Sequence, residues 1–330
     1  MAVDRLVAKV KLKGLISRVL LAVIMLLLPF EFLVSCEDPD AEVWDPPFID
    51  YVYNDFLDDL GPEMEVVFLD VGQGDAALVT LDGHAMLIDG GDKGCSSLIY
   101  SVLEKRDITH LDYVINSHPH ADHVGGLPGA FQNASVGQVF SSVDNYDTKA
   151  FKAFKTAVEG QGLAIAVPES GDVYDFAGAK LTLFRTTGTE NGAEDIELVV
   201  LLEYGRFSFL FTGDINSDVE KALVDIGAIG ECSVLKVAHH GSKYSTSYYF
   251  LLAVDPIFAV ISVGKGNEYG HPTEEVLSRL KDADVKLFRT DLQGDITFGC
   301  DGVMLYCVAK KGSDVDVFKA NSAYEDVGEG

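Results

Sequence analysis

The chain has 330 residues, 48% of them hydrophobic, and a net charge of −27. That hydrophobic content is ample for a core and excludes general disorder, and the length suits one large domain or two small ones. Residues 1–35 hold five Lys/Arg against two acids, which leaves 20 basic and 50 acidic residues in the body, about −30. A surface of that sign repels phosphate backbones at long range and argues against tight non-specific DNA binding, although bound metal reverses the sign locally.

The N-terminus reads as a targeting segment. Lys9 to Arg18 is basic, Val19 to Phe30 is apolar, and Leu33-Val34-Ser35-Cys36 places a small residue before a cut. Those four residues resemble a bacterial lipobox, so Cys36 is the expected lipidation site and residues 1–36 the signal. The alternative is an uncleaved anchor, since Leu15 to Val34 is 20 residues, just long enough to span a bilayer. Either way the expectation is an extracytoplasmic body anchored to the membrane, as in a bacterial lipoprotein, with no protein partner implied. Residues 37–62 are an acidic linker with Pro39, Pro46 and Pro47, and Trp44, Phe48 and Tyr51 are available to dock on the body.

Glu65 to Asp70 reads as a strand, and Val71-Gly72-Gln73-Gly74-Asp75 as a turn whose glycines let backbone approach backbone. Strands follow at Ala76–Thr80 and His84–Ile88, the second ending in Asp89-Gly90-Gly91. Ser97–Arg106 fits a helix with Leu98, Val102 and Leu103 on its apolar face, and Thr148–Gly160 one with Phe151, Phe154 and Val158 inward. Strands are expected at 163–168 and 179–186. Glu197–Glu203 and Arg206–Thr212 form a hairpin over Tyr204-Gly205, leading to Gly213-Asp214. Ser217 and Glu220 fit a capping box for a helix to about Ile226. Ser233–Ala238 is a buried strand that delivers His239-His240-Gly241-Ser242, and helices follow at 247–254 and 273–283 around a strand at 257–263. Strands at 285–290, 295–300 and 303–310 finish the body, and residues 312–330 form an acidic tail expected to fray. Asp301-Gly302 reads as a two-residue hairpin turn that sets Cys307 opposite Ile296, too far from Cys300 for a disulfide. No cysteine has zinc-ribbon spacing. The elements come in two successive mixed runs, 63–140 and 163–310, which gives an α/β class.

The densest stretch is Asn116-Ser117-His118-Pro119-His120-Ala121-Asp122-His123-Val124-Gly125-Gly126, at the end of the apolar strand Tyr113–Ile115. Imidazole and carboxylate suit Zn, Fe or Mn. A strand end and a short loop can point His118 and His120 at one metal and turn Asp122 and His123 toward a second. Asp89 closes a strand where a site can use it, and taken alone it reads as a turn cap.

The pattern H-x-H-x-D-H resembles the signature of the metallo-β-lactamase superfamily, which implies an αββα sandwich and a two-metal hydrolase site. Phe68 to Asp75, Leu87 to Gly91, Ser117 to Gly126, Leu210 to Asp214, Leu235 to Ser242 and Gly270-His271-Pro272 resemble, in order, the soluble hydrolase domain of ComEC-type competence proteins. Residues 63–311 are then the hydrolase domain, expected as a free-standing, secreted version without the membrane channel. The resemblance implies two divalent ions, Zn or alternatively Mn, with Asp214 as bridging ligand and one of His239, His240 and His271 completing the second site. It implies catalytic roles for Asp122, which steers the nucleophile, and for the His239-His240 pair, similar to the transition-state contact of ribonuclease Z-like members. No His lies between His123 and His239, where many members supply a third ligand; Asp195 stands in that segment as a substitute. Ser242 and Asn267 are candidate donors to a phosphoryl or carbonyl oxygen. The implied reaction is phosphodiester hydrolysis through a metal-bridging hydroxide, on a small or envelope phosphodiester or on DNA. Lactamase- or ester-type hydrolysis and a catalytically silent binding lipoprotein are the alternatives.

Overall fold

The computed structural model describes residues 63–190, 193–311 and 315–321. The expected signal, Cys36 and the linker with its aromatics lie outside the described residues, as do the side chains of 189–195 and with them that of Asp195.

The strands in chain order are β1 (Met64–Phe68), β2 (Ala77–Leu81), β3 (His84–Ile88), β4 (His110–Asn116), β5 (Ser135–Ser141), β6 (Ile165–Ala166), β7 (Asp172–Phe176) and β8 (Ala179–Glu190). They continue with β9 (Ala193–Tyr204), β10 (Phe207–Phe211), β11 (Val234–Lys236), β12 (Phe258–Ile261), β13 (Lys286–Arg289), β14 (Ile296–Cys300) and β15 (Leu305–Ala309). One sheet runs β15-β14-β1-β2-β3-β4-β5-β6 and the other β13-β12-β11-β10-β9-β8-β7. Both are mixed: β3 to β6 and β10 to β13 are parallel, and the remaining neighbours antiparallel.

Strand alternation builds three apolar layers. Met64, Val66 and Phe68 of β1 face Phe207, Phe209 and Phe211 of β10 in the core between the sheets. Val67 points the other way, under α1 (Ser96–Lys105) and α2 (Lys149–Gly160). On the second sheet Leu210, Leu235 and Ala259 pack under α3 (Ser217–Asp225), α4 (Tyr248–Val254) and α5 (Glu274–Asp282). Both faces of both sheets are covered, which is why the strands read as nearly continuous apolar runs. The result is the αββα sandwich.

Several local expectations are corrected. The two runs do not map onto the two sheets, because β14 and β15 return to the first sheet beside β1. Strands β5 and β7 had no sequence reading: exposed residues interrupt β5, and β7 alternates Asp with Val, Tyr and Phe. Leu98 is exposed, and α1 turns Ile99 inward with Leu103 instead. The β9–β10 connection is Gly205-Arg206, since Phe207 pairs with Tyr204. Cys307 pairs with Phe298, not Ile296, because Asp301 N–H donates to the Met304 carbonyl and the Asp301 carboxylate accepts from Val303 and Met304 amides, making a longer turn. Cys300 and Cys307 are both free and buried in the inner core. The capping box does not form: Asn216 caps α3, and Glu220 accepts instead from the Thr246 and Ser247 amides. Residues 315–321 do not fray; Val317, Phe318 and Ala320 pack on the outer core of the second sheet.

Phe298 of β14 is the plug between the sheets, with ring centroids 5.4–6.1 Å from Phe68, Phe209, Phe258 and Phe288. Phe298→Ala leaves a cavity with rigid walls on both sides and is expected to cost about 3–5 kcal/mol. Urea unfolding followed by circular dichroism checks this, and a loss under about 1 kcal/mol would mean that the sheets can close the gap.

Candidate metal centre

The site lies where the parallel strands run out. The C-terminal end of β3 delivers Asp89, that of β4 His118 to His123, and those of β10, β11 and β12 deliver Asp214, the His239-His240 pair and the loop with His271. Carboxyl ends of parallel strands are the usual place for ligand sites in such sheets. Backbone bonds tie these loops together: Gly90 N–H to His123 O, Asp75 N–H to Asp122 O, His239 N–H to Gly213 O, and Leu198 N–H from the second sheet to Ser117 O of the first. The approach is tight enough that a Cβ on Gly74 would stand 2.1 Å from the Asp122 carbonyl oxygen, and its φ of +127° is one that L side chains rarely adopt.

Asp122, His123, Asp214 and His240 place one ligand atom each within 4.8 Å of one another. His123 Nε2 is 3.4 Å from Asp214 Oδ1, and His240 Nε2 is 3.5 Å from Asp214 Oδ2 and 3.3 Å from Asp122 Oδ2. His118 Nε2 and His239 Nε2 each lie 3.8 Å from Asp214 Oδ2. His120 stands beside them, its ring edge-on to His118 at 4.6 Å. His271 lies farther out, 5.7 Å from the His239 ring and stacked at 5.8 Å on Tyr269. Of the three candidates for the last ligand, His240 is the one in the quartet.

Each buried imidazole is held from behind through Nδ1. Asp89 Oδ2 lies 3.0 Å from His123 Nδ1, the Ser262 carbonyl oxygen 2.9 Å from His240 Nδ1, and Glu197 Oε2 3.2 Å from His118 Nδ1. An Nδ1 that faces an acceptor carries the proton, so the Nε2 lone pair points inward. Among the described residues Nε2 of His118, His123 and His240 and Oδ1 of Asp214 are buried without a hydrogen-bond partner. Lone pairs of nitrogen and carboxylate oxygen therefore face one another, an arrangement that needs a cation between them. The electrostatics agree. Burial alone would lower His240, but Asp214, Asp75 and Asp122 push it up to about 10. Burial likewise opposes charge on Asp214 and Asp122, yet the imidazoles around them hold both far below the usual carboxylate range. The field that keeps protons on these imidazoles accommodates divalent cations in their place, and the donor set, imidazole with carboxylate, suits Zn or Mn. Outside this field His271 moves the other way: burial, with His239 and His240 nearby, lowers it to about 4.

Other expected residues take supporting parts. Asp89 is more than a turn cap: it accepts from Ser117 N–H, Ser117 Oγ and Asn116 Nδ2 besides holding His123. Asn267 is not a free donor. Its amide nitrogen is spent on the Gly264 and His271 carbonyls, and its oxygen accepts from Tyr269 and His271 N–H, so it staples its own loop. Ser242 is buried, and its hydroxyl accepts from Tyr244 N–H.

Four contributors were not read as parts of the site from the sequence, Glu220 among them because it was read as a helix cap. Glu197 holds His118 from β9. Asp75 Oδ1 lies 3.3 Å from His240 Nδ1 while its Oδ2 takes the buried Lys236 ammonium at 2.9 Å. Glu220, fully buried, pins the amides that follow the His-His loop. A single charge inside an apolar strand was the available signal for Lys236, whereas Glu197 shares its strand with Glu194, Asp195 and Glu203 and had no such signal. His239 and His240 both sit at left-handed φ, 51° and 53°, strain that non-glycine residues carry only where surroundings impose it.

The sequence pattern of the metallo-β-lactamase superfamily matches residues 69–264, and the chain belongs to that superfamily. Its class is thus that of a fold family of metal-dependent hydrolases. Within it the chain is similar to ComE operon protein 3 of Bacillus subtilis (strain 168), at 28% identity over 258 residues that cover 72% of this chain and 33% of that protein. It is 32% identical to competence protein ComA of Neisseria gonorrhoeae over 239 residues, covering 72% and 32%, and 31% identical to recombination protein 2 of Haemophilus influenzae over 245 residues, covering 71% and 29%. The chain spans about a third of the length of these relatives. Among solved structures, a mutant of the CmlA beta-hydroxylase aligns with a TM-score of 0.50 at 13% identity, covering 75% of this chain and 60% of that one, a likeness of fold alone.

Asp89→Asn keeps the shape but presents a neutral amide to His123. Metal affinity is expected to fall on the order of 10–100-fold with the fold intact, read by competition with a chromophoric chelator. Unchanged affinity would show that His123 is oriented without Asp89.

Proposed function

We propose that the chain is a metal-dependent phosphodiesterase that works outside the cytoplasm while tethered to a membrane. The observation that carries the enzymatic reading is the convergence of three buried, Nδ1-anchored imidazoles on Asp214. The acidic body, about −30, makes small or envelope phosphodiesters the first substrates to try, and similarity to a competence protein and a recombination protein adds nucleic-acid strands as the next.

Divalent cations bound here would supply a Lewis acid and an acidified water. The protein's own residues do the rest. Asp89, Glu197 and the Ser262 carbonyl fix the tautomers and directions of His123, His118 and His240. Asp122, the most exposed member of the quartet, stands where it can orient an incoming nucleophile. His271, whose low pKa keeps it neutral at physiological pH, stands with His239 at the open side and can donate one hydrogen bond to a phosphoryl oxygen without adding charge.

Metal content measured beside hydrolysis of bis-p-nitrophenyl phosphate tests this reading. Two ions per chain are expected, with turnover reduced at least about a thousandfold in His123→Ala, since removing a ligand disables the whole unit. Absence of turnover after reconstitution with Zn or Mn overturns the enzymatic reading, and turnover of nitrocefin in its place moves the reaction to C–N bonds.

The tether rests on residues 1–36. The full chain is expected in the membrane fraction of a bacterial host with a lipidated Cys36, and Cys36→Ala is expected to accumulate as uncleaved precursor. Intact mass spectrometry decides, and a wild-type chain that keeps Met1 in the soluble fraction overturns the anchoring.

A further inference from the structure

We infer that residues 315–321 act as a strap that sets the His271 loop, with Asn321 as a positioning residue acting through the His271 backbone carbonyl. The kinetic part rests on the hydrolytic reading above; the structural part does not.

The anchor is Arg289 at the end of β13, the largest fully buried side chain among the described residues. Its guanidinium donates Nε–H to Asp291 Oδ1 at 3.0 Å and Nη2–H to Asp291 Oδ2 at 2.7 Å. The other bonds go to the C-terminal segment: Nη1 to the Val317 carbonyl at 3.1 Å and the Lys319 carbonyl at 2.5 Å, and Nη2 to Asn321 Oδ1 at 3.3 Å. A guanidinium has five N–H donors, so all are used here, three of them on residues 317–321. A buried cation left without those acceptors would be costly, which fixes the segment in place. Apolar contacts of Val317, Phe318 and Ala320 with the outer core hold it along its length.

The far end of the strap reaches the site. Asn321 Nδ2 donates to the His271 carbonyl at 2.7 Å and to Asp291 Oδ2 at 3.2 Å. The same carbonyl takes the Asn267 amide at 2.6 Å, so both lone pairs of one oxygen are engaged, one from inside the loop and one from the strap. That carbonyl belongs to the residue whose ring packs between His239 and Tyr269. Asn267 by itself only ties the loop to itself. The loop's two ends are held by Gly264 N–H on Gln73 and by Thr273 on the Gly241 carbonyl, and Asn321 adds the bond that refers its middle, at His271, to the end of β13 through Asp291 and Arg289, and so helps to set how far the His271 ring stands from Asp214.

The test uses the full chain with Asn321→Ala and the near-isosteric Asn321→Asp, which fills the same space but cannot donate to the carbonyl. Backbone hydrogen exchange over residues 266–272 is expected to speed up on the order of tenfold in both variants, while the rest of the body and the metal content stay as in the wild type. With bis-p-nitrophenyl phosphate, kcat is expected to fall on the order of tenfold with KM within about twofold, since a misplaced group costs rate more than ground-state binding. Unchanged exchange over 266–272 overturns the strap. Faster exchange with kcat unchanged, or Asn321→Asp behaving as wild type, overturns the positioning role. If the wild-type chain itself shows no turnover, the hydrolytic reading has failed and the exchange result alone decides the strap.

Discussion

A buried carboxylate that faces three imidazole lone pairs is tolerable only with positive charge between them, and much of this structure follows from that constraint. Asp214 has its Oδ1 buried without a partner while Nε2 of His118, His123 and His240 stand 3.4–3.8 Å from its oxygens. Water would relieve such a cluster, but three of the four residues are fully buried. Protons relieve it in the free protein, which is the meaning of the raised His118, His123 and His240 and the depressed Asp214 and Asp122. Divalent ions relieve it with better geometry, because one ion meets several lone pairs at once and a proton meets one or two.

The constraint explains the otherwise awkward backbone. Inward-facing Nε2 atoms require acceptors behind each ring, and these come from both sheets: Asp89 from the first, Glu197 and the Ser262 carbonyl from the second. The two sheets must therefore be locked in register at this edge, which the bond from Leu198 N–H to Ser117 O and the close passage of Gly74 by Asp122 accomplish. Consecutive left-handed residues at His239 and His240 throw two imidazoles to one side within a single turn, and the carboxylate of Glu220 holds the turn's exit.

What could be read from the sequence follows the same division. The H-x-H-x-D-H run was legible because its chemistry is concentrated in a few adjacent residues, and Asp214 and the His-His pair were singled out through the resemblance. The sandwich was legible through resemblance, and its strands through apolar runs where both sheet faces are covered. Glu197, Asp75 and Lys236 were not, because each acts at a distance of more than forty residues in the chain on a partner that only the folded sheets bring near. Asn267 was misread for a related reason: a polar residue beside a site looks like a donor until its loop is seen to consume every bond it can make. The β14–β15 register shifted by two, which keeps every side chain on its face, so the alternation of the apolar pattern could not have revealed it.

The last part of the chain ties the site to the stability of the whole. Residues 69–264 carry the family pattern, but β14 inserts beside β1 and supplies Phe298, the ring that spaces the two sheets. Spacing between the sheets is also spacing between Asp89 and Glu197, hence between the rings they hold. A core residue 58 positions beyond His240 in the chain is, in physical terms, part of what sets the separation of the ligands, because interiors packed at crystal density transmit a change of gap rather than absorb it. The C-terminal segment continues the same logic outward, from Arg289 through Asn321 to the carbonyl of His271. The site thus depends on β14 beside β1 and on residues 317–321, none of which supplies a side chain to the quartet of Asp122, His123, Asp214 and His240.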